Sequence, residues 1–145
     1  MKAVIQRVKH TSLKVDGSLV SEIPFGLAVY LGVKTGDTRA QAQAVANKIS
    51  KLRIFEDGNG KMNLSVSDVG GEILLISQFT LYGDCSHGNR PSFTLAERPE
   101  QANELYEYTA EQLRVLGMVV KTGVFGADMK IEQFNDGPVT IIYEI

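Results

Sequence analysis

The segment Gly26-Leu27-Ala28-Val29-Tyr30-Leu31-Gly32-Val33 constrains the fold of this chain more than any other. It is apolar throughout and bounded by glycines, as a strand buried on both faces should be. It is far short of the ~18 apolar residues that a membrane helix requires. Further β-like pieces surround it. Lys2 to His10 alternates loosely, with Val4, Gln6 and Val8 set against Ile5, Arg7 and Lys9. Leu13-Lys14-Val15 and Leu19-Val20 flank Asp16-Gly17, a dipeptide whose tolerance of positive φ suits a tight hairpin turn. Glu72 to Tyr82 is the longest strand candidate. Met118–Phe125, Met129–Phe134 and Val139–Glu144 close the chain, with Asn135-Asp136-Gly137-Pro138 turning the corner between the last two.

Two helices are expected among these strands. Thr38 followed by Gln41 is a capping-box pattern, and Ala42, Val45, Ala46, Ile49 and Leu52 then recur at helical spacing. A second helix should begin near Pro99, carry Ala102, Leu105, Tyr106, Leu113 and Leu116 on its apolar stripe, and end at Gly117. Many short strands with two helices predict an α+β fold, its strands mainly antiparallel and its helices on one side. At 145 residues the chain has the size of one domain, spanning 1–145.

Composition excludes several classes. One cysteine, Cys85, and two histidines, His10 and His87, cannot build a disulfide framework or a Cys/His zinc site within one chain. The opening Met1-Lys2-Ala3-Val4-Ile5-Gln6-Arg7 turns polar too soon for a signal peptide, so a cytoplasmic protein without a membrane span is expected. Net charge is −2 but uneven. Residues 1–61 carry ten basic and five acidic side chains, and residues 62–145 carry five and twelve. A basic N-terminal half suits a phosphate backbone, though ordinary surface charge gives the same pattern.

Catalytic sets are nearly absent. A Ser-His-Asp triad has few candidate histidines, Cys85 stands beside Asp84, which disfavours its thiolate, and no phosphate-cradling glycine motif occurs. Two segments stand out. Ser77-Gln78-Phe79-Thr80 places hydrogen-bonding side chains late in an apolar strand, where they either emerge into water or face a cavity. Read as a strand, it sets Ser77 and Phe79 on one face and Gln78 and Thr80 on the other. Asn135-Asp136-Gly137-Pro138 is either a plain turn or a special one, since X-Pro bonds are the ones that can be cis.

Together these two segments resemble the hallmark pair of the D-aminoacyl-tRNA deacylase (D-tyrosyl-tRNA deacylase) family. The resemblance extends to Met1–Val8, Leu52-Arg53-Ile54-Phe55-Glu56-Asp57, Gly60–Asn63, Gly88-Asn89-Arg90-Pro91-Ser92-Phe93 and Gly123–Met129. It implies a homodimer with a small β-barrel-like core, helices packed outside, and active sites at the subunit interface. It implies that Ser77, Gln78, Phe79 and Thr80 line the pocket, and that a cis Gly137-Pro138 pair enters the pocket of the other subunit as the chiral filter. The implied reaction is hydrolysis of D-aminoacyl-tRNA, and of glycine mischarged on alanine tRNA, with no cofactor and no metal. The alternative is a non-catalytic module that binds an aminoacylated RNA end or a small ligand. Arg7, Lys48, Lys51 and Arg90 are candidate phosphate contacts, with bracing of the Gly-Pro loop as the other reading of Arg7. The loop Gly83-Asp84-Cys85-Ser86-His87 departs from relatives, which are richer in lysine there.

Overall fold

A computed structural model of the chain describes residues 1–145. Its elements are β1 (Lys2–Val15), β2 (Ser18–Ile23), β3 (Gly26–Gly32), α1 (Arg39–Lys51), β4 (Phe55–Glu56), β5 (Met62–Leu64), β6 (Glu72–Ser77), α2 (Pro99–Val115), β7 (Val120–Thr122) and β8 (Met129–Glu144). The long β1 is the spine. It pairs antiparallel with β2 from Thr11↔Ile23 to Val15↔Ser18, and with β3 from Lys2↔Gly32 to Val8↔Gly26. β2 and β3 therefore follow one another along one edge of β1, while β8 runs antiparallel along the other. The sheet continues from β3 to β6 and from β6 to β7, both pairs parallel. It then nearly closes on itself. Ser21 Oγ donates to the Thr122 carbonyl at 2.6 Å, and Lys121 Nζ donates to the Glu22 carbonyl at 2.7 Å, tying β2 to β7. The short β4–β5 hairpin stands apart as a two-stranded sheet.

The alternation of side chains along a strand separates two cores. Ala28, Leu74 and Ile76 join Val8, Leu13 and Ile23 inside the barrel. Leu27, Val29, Leu31, Ile73 and Leu75 point outward to meet the helices. β3 is thus buried on both faces, as its uninterrupted apolar run requires. Both helices lie against this outer face. α1 begins with a capping box in which Thr38 accepts from the Ala40 N–H and Gln41 accepts from the Thr38 N–H. α2 has Pro99 in its first turn and buries Ala102, Leu105, Tyr106 and Leu113, and Gly117 follows it with φ 88°. Leu116 does not belong to the stripe: it caps the helix and is 36% exposed. The β1–β2 turn is made by Asp16 and Gly17, both at positive φ, as the dipeptide predicts.

Two elements differ from the sequence reading. The strand expected over Glu72–Tyr82 stops at Ser77, and Phe79–Tyr82 forms a single turn of 3-10 helix. The reason lies in its neighbour. β3 ends at Gly32, leaving no ladder to extend, and the turn folds over that glycine. A Cβ at Gly32 would stand 3.0 Å from the Gln78 carbonyl oxygen and 3.2 Å from Leu81 Cβ. Nor do Asn135–Pro138 separate two strands. β8 is continuous, and its register with β1 jumps from Gln6↔Thr140 to Val8↔Asn135, so residues 136–139 bulge outward opposite Arg7.

Candidate active site

Ser77 is the last ladder residue of β6, opposite Leu31, and the Gln78 N–H then donates to the Leu31 carbonyl at 2.8 Å. The change to a 3-10 turn at Phe79 removes the strand alternation. Ser77, Gln78 and Phe79 consequently all line one cavity of about 580 Å³. Leu31, Val33, Ala102 and Tyr106 wall it, with Phe125, Met129 and Ile131 opposite. At the mouth, Phe79 is 57% exposed and meets Phe93 edge-to-face at 5.1 Å between ring centroids. Thr80 does not line the cavity; its exposed hydroxyl accepts a hydrogen bond from Gln78 Nε2.

No histidine, lysine or cysteine lines this cavity, and the Thr80 hydroxyl has Gln78 as its hydrogen-bond partner. The two acidic residues at its rim are Glu97 and Asp128. Glu97 accepts from the N–H groups of Arg98 and Gly36, and these bonds hold its carboxyl below the usual range. Asp128 is paired with Lys130 at 2.9 Å. Burial pushes the Tyr106 hydroxyl well above the ordinary phenol range, so it stays neutral and donates to the Leu75 carbonyl at 2.8 Å. What the site offers chemically is main-chain donors. The first N–H groups of a helical turn have no partner within it, and those of Phe79 and Thr80 open the 3-10 turn beside Ser77 and Gln78. No group of three or more His, Cys, Asp or Glu side chains is gathered anywhere to hold a metal ion.

Gly137 and Pro138 lie elsewhere, exposed at the crest of the β8 bulge with a cis peptide bond between them. Gly137 has φ 121°, and a Cβ there would stand 2.9 Å from the Val139 nitrogen, so the position takes glycine alone. Arg7 underpins the bulge. Its guanidinium donates to the Ile54 carbonyl at 2.8 Å and to the Asp136 carbonyl at 3.3 Å, and reaches the Asp136 carboxylate at 3.1 Å. Being only 5% exposed, Arg7 is no phosphate contact; the brace is the correct reading. Arg7, Lys9, Phe25, Phe55 and Asp136 border a smaller cavity of about 310 Å³ beneath it.

Within one chain the two motifs do not meet. Counted along the sheet, β8 is three strand spacings from β6, and the Arg7 level lies four residues beyond the Ala3 level that faces Leu31 and Ser77. At ~4.8 Å per strand and ~3.3 Å per residue this is about 20 Å over the surface. The cavity walls Tyr106, Phe93, Phe125 and Met129 escaped the reading of the residues by themselves. Their only sequence signal was membership of Gly88–Phe93 and Gly123–Met129 for the last three. Of the other candidate phosphate contacts, Lys48 lies over the Tyr143 ring at 5.3 Å, Lys51 is exposed on the last turn of α1, and Arg90 is exposed near Phe93. No helix is long and apolar enough to cross a membrane.

The chain is 52% identical over 144 residues to a D-aminoacyl-tRNA deacylase of Bacillus cytotoxicus, covering 99% of both chains. It is 55% identical over 144 residues to a D-aminoacyl-tRNA deacylase of Geotalea uraniireducens, covering 99% of this chain and 93% of the other. Among solved structures, a c-Myc DNA unwinding element binding protein superposes with a TM-score of 0.94 at 44% identity, over 100% of this chain and 99% of that one. A probable eukaryotic D-amino acid tRNA deacylase shares the fold at a TM-score of 0.84 and 17% identity, over 99% and 98% of the two chains. The family model for D-Tyr-tRNA(Tyr) deacylase matches residues 4–144, and the chain belongs to that family of hydrolases.

Proposed function

We propose that this chain, acting as one domain over residues 1–145, is a cytoplasmic homodimer that hydrolyses D-aminoacyl-tRNA to free D-amino acid and tRNA. The observation that carries the dimeric reading is the separation of the two motifs: an exposed, braced Gly137-Pro138 crest on one part of the sheet, and a cavity without it on another. A second copy brings them together, with Gly137 and Pro138 of the partner subunit entering the cavity beside Ser77, Gln78 and Phe79. β8 pairs only with β1, leaving its other edge open, and exposes Phe134 (64%) and Ile142 (69%), which suits such an interface.

The chemistry follows from what the cavity contains. Water adds to the ester carbonyl, the oxyanion forms, and the carbonyl carbon–ribose oxygen bond then breaks, the ribose oxygen taking up a proton. Aminoacyl esters are already reactive, so stabilisation of the oxyanion by the Phe79 and Thr80 N–H groups is enough to matter; one such donor is worth ~3–4 kcal/mol in other enzymes. The 2′-hydroxyl of the terminal adenosine serves to activate the water. This assigns Ser77, Gln78, Phe79 and Thr80 to the catalytic wall, mainly through their backbone. Chirality is set by steric exclusion: rigid carbonyls of Gly137 and Pro138 bind the α-amino group and block an L side chain. Glycine has no Cβ to exclude, so glycine mischarged on alanine tRNA is a substrate too.

The test is hydrolysis of D-tyrosyl-tRNA and L-tyrosyl-tRNA at equal enzyme with no added cofactor. Selective loss of the D ester is expected. Loss of neither, from a folded dimer, would replace the hydrolase by a binding module for an aminoacylated RNA end, the reading favoured by the absence of histidine, lysine and cysteine from the cavity lining.

A further inference from the structure

Three exposed cations lie within three residues of the lining of the large cavity and form no ion pair: Lys34, Arg90 and Arg98. Each is tied to the cavity wall by the backbone. Lys34 follows the wall residue Val33 and forms a β-bridge with Ala96, another wall residue. Arg98 sits between Glu97 and Pro99, both at the rim, and the Glu97 N–H donates to the Val33 carbonyl at 3.0 Å, holding the two strips together. Arg90 belongs to the loop closed by the Asp84–Ser92 bridge, which delivers Phe93 to the mouth. All three side chains are exposed. Arg39, Lys121 and Lys130 are paired with Glu104, Glu72 and Asp128, and the other unpaired cations, Lys48, Lys51, Arg53 and Lys61, belong to α1 and the β4–β5 region rather than to segments of the cavity lining.

The acidic residue beside Arg98 is accounted for. Glu97 has its carboxylate engaged by the N–H groups of Gly36 and Arg98. It shapes the rim, and the Arg98 guanidinium forms no ion pair with it. An apolar cavity closed by an aromatic pair accepts the uncharged end of a nucleic acid, and the next phosphate along the strand must then fall at the mouth. An unpaired cation at that place is what a single-stranded phosphate chain requires.

Resting on the reading of the substrate as an aminoacyl-tRNA, we infer that Lys34, Arg90 and Arg98 form a phosphate-binding rim for the single-stranded 3′ end of the RNA, positioning it without touching the scissile ester. The salt dependence follows. Each phosphate neutralised on a single strand contributes ~0.7 to the slope of log affinity against log salt.

Two measurements test this on the intact dimer. In the first, Lys34→Ala, Arg90→Ala, Arg98→Ala and the triple variant are assayed with D-tyrosyl-tRNA. KM should rise roughly threefold to tenfold per cation with kcat nearly unchanged. Arg98→Lys should recover most of the loss. In the second, binding of deacylated tRNA is titrated between 50 and 200 mM salt, and the slope should fall by ~0.7 per removed cation. Lys61→Ala, on the β4–β5 turn away from the cavity, is the control and should leave both readouts unchanged. A triple variant with wild-type KM and an unaltered slope overturns the rim while leaving the deacylase reading intact. Wild-type protein that binds tRNA with the expected slope but hydrolyses no aminoacyl-tRNA overturns the deacylase and keeps the rim.

Discussion

Arg7 has its guanidinium in contact with a carbonyl of one loop and both a carbonyl and a carboxylate of another, with almost none of it in water. Removing it takes the donor from the buried Ile54 carbonyl and leaves the Asp136 carboxylate with Lys9 alone, at 3.5 Å. Arg7→Ala should therefore lower stability by ~3 kcal/mol in urea unfolding, and Arg7→Lys, which lacks the planar fork, should recover only part of that. Thr80 makes the opposite case. Its hydroxyl is exposed, outside the cavity lining, and only accepts from Gln78. Thr80→Ala should keep kcat within about tenfold of wild type, as expected where a backbone donor rather than a side-chain nucleophile acts. A Thr80→Ala protein that binds substrate normally and turns nothing over would falsify the backbone mechanism.

At the scale of elements, the turn over Gly32 is the point where fold and site are coupled. Gly32→Ala would bring a Cβ to 3.0 Å from the Gln78 carbonyl oxygen, displacing the 3-10 turn by a few tenths of an ångström. Activity should fall by roughly tenfold, while the urea midpoint moves little, because positioning is more sensitive than packing to so small a shift. This same turn was not legible in the sequence. Phe79-Thr80-Leu81-Tyr82 has strong β character, and only the end of the neighbouring strand at Gly32, a tertiary fact, overrides it. The continuity of β8 was hidden for a similar reason, since Asn-Asp-Gly-Pro is turn-forming wherever no partner strand spans it. By contrast, the capping box of α1, the Asp16-Gly17 turn and the doubly buried β3 were legible because each is local: a cap, a positive-φ pair, an apolar run. Of the cavity, the wall at Ser77–Phe79 could be read from its polar residues within an apolar strand. Tyr106 could not, since on its helix it looks like any core residue.

The whole molecule adds two expectations. If each cavity is completed by the other copy, a variant with a disabled crest and a variant with a blocked cavity should be inactive alone and active together. Random exchange makes half the dimers mixed, each with one working site of two, so about a quarter of wild-type activity should return on mixing. The second expectation concerns acid. Asp57, Asp68, Asp84 and Glu97 all have carboxyls lowered by hydrogen bonds from backbone N–H groups nearby. Their folded values lie below their unfolded ones, so the stabilisation they lend is complete above the ordinary carboxylate range and is lost as pH falls through the folded values. Urea midpoints should be flat near neutrality and decline on acidification, with a smaller decline when Glu97 is replaced by Gln.

The bulge opposite Arg7 also bears on how this chain can vary by descent. Residues 136–139 stand against a single residue of β1, and beyond them Thr140–Glu144 re-enter a ladder where side chains alternate between faces. Gln6 and Val8 share a face of β1, yet their partners Thr140 and Asn135 are five residues apart, so the crest breaks the alternation while Ile141 and Tyr143 still pack on the helical core. A residue gained or lost within the crest can therefore be taken up by the bulge without turning the flanking ladder over, so long as Thr140 keeps its place opposite Gln6. The length of this loop is thereby freed from the register of the strand, and is left to be set by what its tip meets.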